Sequence, residues 1–233
     1  MNKLFKIAGV SVVALSAALY ASSVTKSLAA DITTSSDLDD FTKVQLNTSS
    51  DIKITMGSGY SIEMVGDEER IANTILEVKG DTLKIKHKRG NFNYDNDQEM
   101  IINIVMPNIE SMQINGSGDA EIIGVDNDEL ELSINGSGDM VVSGKTNKAD
   151  IGINGSGDIM MDEVTGNSVG ISINGSGDVA FSGGTCTTLE IDIHGSGDVE
   201  AKNLKCKDVN VDVSGSGDSE VYASNSITFE SHG

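Results

Sequence analysis

The chain has 233 residues, with 36 acids against 16 bases, a formal charge of −20, 26 glycines, one proline, four tyrosines, five phenylalanines and no tryptophan. So acidic a surface repels phosphate backbones and anionic lipid, and no run of Lys or Arg overrides it, which excludes nucleic acid as a partner. Abundant glycine with almost no proline points to tight turns repeated many times and excludes a helical bundle.

In chain order, the first element is MNKLFKIAGVSVVALSAALYASSVTKSLA, in which Lys3 and Lys6 precede an apolar run from Ile7 to Tyr20 and small residues follow. This pattern predicts a cleaved secretory signal peptide over 1–29, with Ser27 and Ala29 ahead of the cut, and a mature chain over 30–233. Its apolar run is shorter than the roughly 20 residues that cross a bilayer, and no later segment approaches that length, so no membrane span is expected in the mature chain. No cysteine lies near the cut to carry a lipid. Loss of Lys3, Lys6 and Lys26 takes the formal charge from −20 to −23. The expected location is the periplasm, the cell surface or the medium.

Residues 31–111 have strand texture without strict repetition: FTKVQLNT, SDIKITMG, YSIEMVG, DTLKIKHK and EMIINIVMP. Gly57-Ser58-Gly59 reads as a decayed copy of the glycine corner that repeats further on, Gly80-Asp81 as a two-residue hairpin turn, and the polar NFNYDNDQE from Asn91 as an exposed loop. No linker interrupts the chain, so one domain is expected.

From residue 112 to 230 the sequence repeats. INGSGD begins at Ile114, Ile134, Ile153 and Ile173, followed by IHGSGD from Ile193 and VSGSGD from Val213. The first glycines, Gly116, Gly136, Gly155, Gly175, Gly195 and Gly215, are spaced by 20, 19, 20, 20 and 20 residues. Apolar residues alternate ahead of each motif, as in Leu130, Leu132, Ile134 and in Leu189, Ile191, Ile193, and again after it, as in Ile159 and Met161. That is the mark of strands with one buried face. The expected unit is strand, glycine turn, strand, turn, stacked as a β-solenoid of about 20 residues per coil.

Stacking would align Asp119, Asp139, Asp158, Asp178, Asp198 and Asp218 in one column. At the strand spacing of roughly 4.8 Å each neighbouring pair repels by about 1 kcal/mol in water. Turn amides could offset this, and so could a Ca²⁺ ion. The column is therefore the weak metal candidate, although the nine-residue period and leading Gly pair of calcium β-rolls are absent. Cys186 and Cys206 are one period apart, which places them in adjacent coils within disulfide reach; an oxidising compartment favours the bond. His87, His194 and His232 are scattered in sequence and complete no ligand set with these cysteines.

Gly116-Ser117-Gly118 lacks the third glycine and the helix of a dinucleotide fingerprint, and His194 is a lone variant of the repeated Asn. The spacings hardly vary, whereas a catalytic centre on a solenoid is expected to break the repeat. No catalytic residue and no cofactor are expected.

The INGSGD row, together with DLDDFTKVQLNTSSDIKITMGSGYSIEMVGDEE and GDTLKIKHK…MIINIVMPNIESMQINGSGD, resembles the bacterial head GIN domain family of autotransporter-adhesin-like proteins. The likeness covers nearly all of the mature chain. It implies an all-β, right-handed parallel β-helix-like fold with less regular N-terminal strands, and an exported protein. The expected function is a non-enzymatic binding or structural module whose solenoid flank meets an unidentified protein or glycan at the cell envelope, with self-association through the end coils as a further route. The alternative is a polysaccharide-acting enzyme on the same scaffold, disfavoured by the scarcity of aromatic platforms for sugars.

Overall fold

Alternation of apolar residues governs the N-terminal part as it does the repeats. The computed structural model describes residues 32–89 and 100–232, so the signal-peptide reading of 1–29 and the polar segment from Asn91 lie outside the described residues. The N-terminal elements are β1 (Ile32–Ser36), β2 (Lys43–Asn47), β3 (Asp51–Met56), β4 (Ser61–Gly66), α1 (Glu68–Asn73), β5 (Thr74–Lys79), β6 (Thr82–His87) and β7 (Met100–Met106). Val44, Leu46, Ile52, Ile54, Leu83, Ile85, Ile102 and Ile104 point into one continuous core.

β2 and β3 form a rung, and β6 and β7, on either side of residues 88–99, form the rung beside it. β6 lies parallel to β2 with Leu83 opposite Val44, and β7 parallel to β3 with Ile102 opposite Ile52. β4 and β5 then pair antiparallel to β7 and β6, and β1 pairs antiparallel to β4, which closes this end of the stack. Between β4 and β5, α1 starts at Asp67, whose Oδ1 accepts the Glu69 and Arg70 amides at 2.9 and 3.0 Å, an N-cap that fixes where the helix begins. The hairpin expected at Gly80-Asp81 joins β5 to β6, with Lys79 opposite Thr82 and Gly80 at φ +64.

β8 (Ser111–Gly116) returns to the other face of β2, so the first rung in sequence is enclosed between two later ones. The stack continues through β9 (Ala120–Gly136), β10 (Met140–Gly155), β11 (Ile159–Gly175), β12 (Val179–Gly195), β13 (Val199–Gly215) and β14 (Ser219–Ser231), each parallel to the last. The sequence predicts two strands and two turns per coil. Instead, β9 to β13 each run 16 or 17 residues from one glycine corner to the next, and the second turn is a bend within the strand. The reason is that neighbouring rungs bend together, so ladder pairing persists through the bend with only local register shifts.

Inside, like stacks on like. One column runs Met112, Leu132, Ile151, Ile171, Ile191, Val211, and another Ile114, Ile134, Ile153, Ile173, Ile193, Val213, all buried. On β14, Phe229 follows Val211, Ser231 follows Val213, and Ile227 follows Val209 of a neighbouring inward row; Ile227 and Phe229 are 58% and 61% exposed, with no further rung over them among the described residues.

Candidate functional site

The glycine corners stack rung over rung. Each Asp amide donates to the Oδ1 of the Asp one rung back: Asp119 to Asp51 at 3.0 Å, Asp139 to Asp119 at 2.9 Å, Asp158 to Asp139 at 2.8 Å, and onward through Asp178, Asp198 and Asp218. A parallel column joins Asn115 to Asn47, Asn135 to Asn115 and Asn154 to Asn135 by side-chain amides at 2.9–3.1 Å. His194 stands in that column, opposite Asn174 and Ser214.

The Asp row expected from sequence is thus a single column, and its first member is one the sequence reading did not single out. Asn47-Thr48-Ser49-Ser50-Asp51 is the corner of the N-terminal rung, and Gly57-Ser58-Gly59 is not; it lies where the chain reverses from β3 to β4. The pattern Asn-x-Ser-x-Asp was the available signal, hidden because Thr48 and Ser50 replace both glycines.

Burial raises the carboxyl pKa values of Asp119 and Asp178 above the usual carboxylate range. The amide bond from the next rung opposes that rise, and neighbouring carboxylates add to it. At these two positions loss of hydration outweighs mutual repulsion. Cys186 and Cys206 are opposite one another on β12 and β13, their Cα atoms 4.4 Å apart, and form a disulfide inside the core, at 4% and 0% exposure.

On the outside, one flank carries two adjoining depressions. The larger, about 630 Å³, is lined by Lys43, Glu110, Asp126, Asp128, Glu129 and Asp150 among others. The smaller, about 330 Å³, lies over Gly152 and Gly170 between Glu131, Asp150, Glu190 and Asp192. A Cβ at Gly152 would meet nothing within 4 Å. The fold does not require glycine there, and its presence at an outward strand position opens the recess. Lys148 is drawn to this flank by Asp150, at 2.8 Å, and that hydrogen bond raises its pKa. The sequence points to a flank as the interaction surface but not to these residues, because its acids look like ordinary solvated strand residues; the outward glycines were the signal.

A stack of in-register rungs with a hydrogen-bonded corner column, an antiparallel cap and an acidic flank defines the class: a β-solenoid scaffold that displays a surface. The chain belongs to the family described as putative auto-transporter adhesin, head GIN domain, whose profile matches residues 40–233. Its fold is shared with solved structures of low sequence identity. A putative adhesin from Parabacteroides distasonis is 16% identical with a TM-score of 0.76, covering 87% of this chain and 94% of that one. A putative lipid binding protein from the same species is 19% identical with a TM-score of 0.72, over 88% and 97% of the two chains. A putative adhesin from Parabacteroides merdae is 18% identical with a TM-score of 0.70, again over 88% and 97%. No curated protein matches the chain. Among the described residues, no helix is long and apolar enough to cross a membrane.

Proposed function

We propose that the protein is an exported, non-enzymatic, adhesin-like binding module that uses its acidic flank to hold a protein or glycan at the cell envelope. The observation that carries this reading is the flank itself: carboxylates from successive rungs around a recess over Gly152 and Gly170, of which Gly152 has open space where a side chain would stand. Family membership supports the adhesin-like and extracytoplasmic parts of the reading. A rigid, periodic, negatively charged surface suits a cationic or polyhydroxylated partner, with long-range attraction that weakens as salt rises.

Nothing in the arrangement favours the polysaccharide-acting alternative. The test is a glycan array and a panel of basic envelope proteins run beside a polysaccharide-cleavage screen, using the wild-type chain and a Glu131→Gln, Asp150→Asn, Glu190→Gln triple variant. Binding without turnover, lost in the triple variant and weakened by salt, supports the reading; turnover, or binding indifferent to the triple variant, overturns it. Melting in Ca²⁺ and then in chelator tests calcium on the Asp column, whose amide partners already offset the repulsion that a cation was expected to relieve.

A further inference from the structure

Across β12, β13 and β14 the outward face carries a different constellation. Asp192, Asp212 and Glu230 follow one another in register across β12, β13 and β14. Alternation along β14 puts His232 on the same face as Glu230, and the His232 amide is pinned to the Val213 carbonyl at 2.8 Å. One ligand atom each from Asp212, Glu230 and His232 lie within 4.8 Å of one another, with His232 Nε2 3.9 Å from Glu230 Oε2.

The contrast with the corner column decides the reading. There each Asp from Asp51 to Asp198 accepts a backbone amide from the next rung. Here Asp212 Oδ1 is enclosed, with no hydrogen-bond partner. Among the described residues, no Lys or Arg forms an ion pair with Asp192, Asp212 or Glu230, and the His232 imidazole lies beside Glu230. Three stacked carboxylates at a rung spacing of roughly 4.8 Å, one with a desolvated and unsatisfied oxygen, form an arrangement that a cation would complete.

We infer that Asp212, Glu230 and His232 form a binding site for a divalent transition-metal ion of the Zn²⁺ type. Imidazole nitrogen with two carboxylates suits Zn²⁺ and its neighbours, whereas Ca²⁺ takes oxygen ligands. A tetrahedral ion with ligands at about 2.1 Å spaces them at about 3.4 Å, and the side chains of Glu230 and His232, 63% and 65% exposed, are free to close that small gap. Three protein ligands leave one position for water or for an incoming group. The sequence concealed this site because residues 212 and 230 become neighbours only through the rung pairing.

The experiment is titration of the full chain with Zn²⁺ against a chromophoric chelator at pH 7.5, repeated on His232→Ala, Asp212→Asn and, as a control elsewhere, His194→Ala. Far-UV circular dichroism without metal establishes that each variant is folded. One equivalent of Zn²⁺ should bind, a large excess of Ca²⁺ should not displace it, and His232→Ala and Asp212→Asn should each weaken it by about tenfold or more, while His194→Ala leaves it unchanged. The His232 ring resonances should shift on Zn²⁺ addition. Absence of saturable binding, or binding equal in wild type, His232→Ala and Asp212→Asn, would overturn the assignment.

Discussion

Gly155 and Gly152 sit three residues apart and do opposite things. Gly155 has φ +142, and a Cβ there would overlap the carbonyl oxygen of Gly136 on the rung before it, so backbone and neighbour both forbid a side chain. Gly152 faces open space without a positive φ. Gly155→Ala should therefore cost several kcal/mol, about 3 or more by strain and overlap together, and Gly152→Ala should change stability by less than about 1 kcal/mol; paired denaturant melts measure both. The same contact recurs at the N-terminal corner. Each corner glycine yields to the carbonyl of the corner before it, as Gly116 does to Thr48 and Gly118 to Ser50. Thr48 and Ser50 hold side chains where the later corners have glycine, so the motif became unreadable there.

The Asp column gives a second prediction at this scale. Because burial raises the folded pKa of Asp178 above its unfolded value of 3.8, its carboxylate costs stability at neutral pH. That cost fades as pH falls through the folded value toward the unfolded one. Asp178→Asn keeps the Oδ1 acceptor for the Asp198 amide and removes the charge, so it should melt no lower than wild type at pH 7, and the difference should vanish near pH 3. Asp178→Ala deletes the acceptor and should cost about 1–2 kcal/mol at either pH. Thermal melts of the three proteins at both pH values decide, and an Asn variant that melts well below wild type at pH 7 contradicts the burial argument.

Among elements, the repeated rungs were readable because a fixed 20-residue spacing makes each inward Ile and Val predict the next. The cysteine pair was readable for the same reason. The N-terminal rungs were only half legible. Strand texture and the Gly80-Asp81 hairpin are local signals, whereas the insertion of β2 between β6 and β8 depends on pairings 39 and 68 residues apart that no local pattern announces. The disulfide links two neighbouring rungs, and in the chain-entropy account a loop of this length contributes about 3 kcal/mol. Cys186→Ala/Cys206→Ala should therefore lose about that much in a urea melt. Because both sulfurs are buried, dithiothreitol applied to the native protein and removed before the melt should leave the midpoint unchanged, whereas a melt run with dithiothreitol present should give a lower one.

Over the whole molecule the two ends differ. The N-terminal end carries antiparallel β1, β4 and β5 with α1 between β4 and β5, while among the described residues β14 is the outermost rung at the other end, with Tyr222, Ile227 and Phe229 exposed. In a stack whose rungs are stabilised by their neighbours, a rung with one neighbour opens first. Native-state hydrogen exchange should therefore find the amides of β14 exchanging fastest among the rungs and those of β10 to β12 slowest. Uniform protection would contradict nearest-neighbour stabilisation. The flank and the Zn²⁺ triad were not legible at this scale, because both are made by lateral neighbours and not by residues close in sequence.

The corners' alignment underlies the Asp column, the disulfide register, the acidic flank and the metal triad alike, and cysteine trapping reads it directly. Ser176 and Ser196 are exposed corner residues on adjacent rungs, and Ser156 and Ser196 are two rungs apart. Under air oxidation, Ser176→Cys/Ser196→Cys should form an intramolecular disulfide. Ser156→Cys/Ser196→Cys should not, because two rungs span roughly 9.6 Å and a disulfide tolerates about 7 Å between Cα atoms. Cross-linking of the second pair as readily as the first, or failure of the first, would contradict the stack.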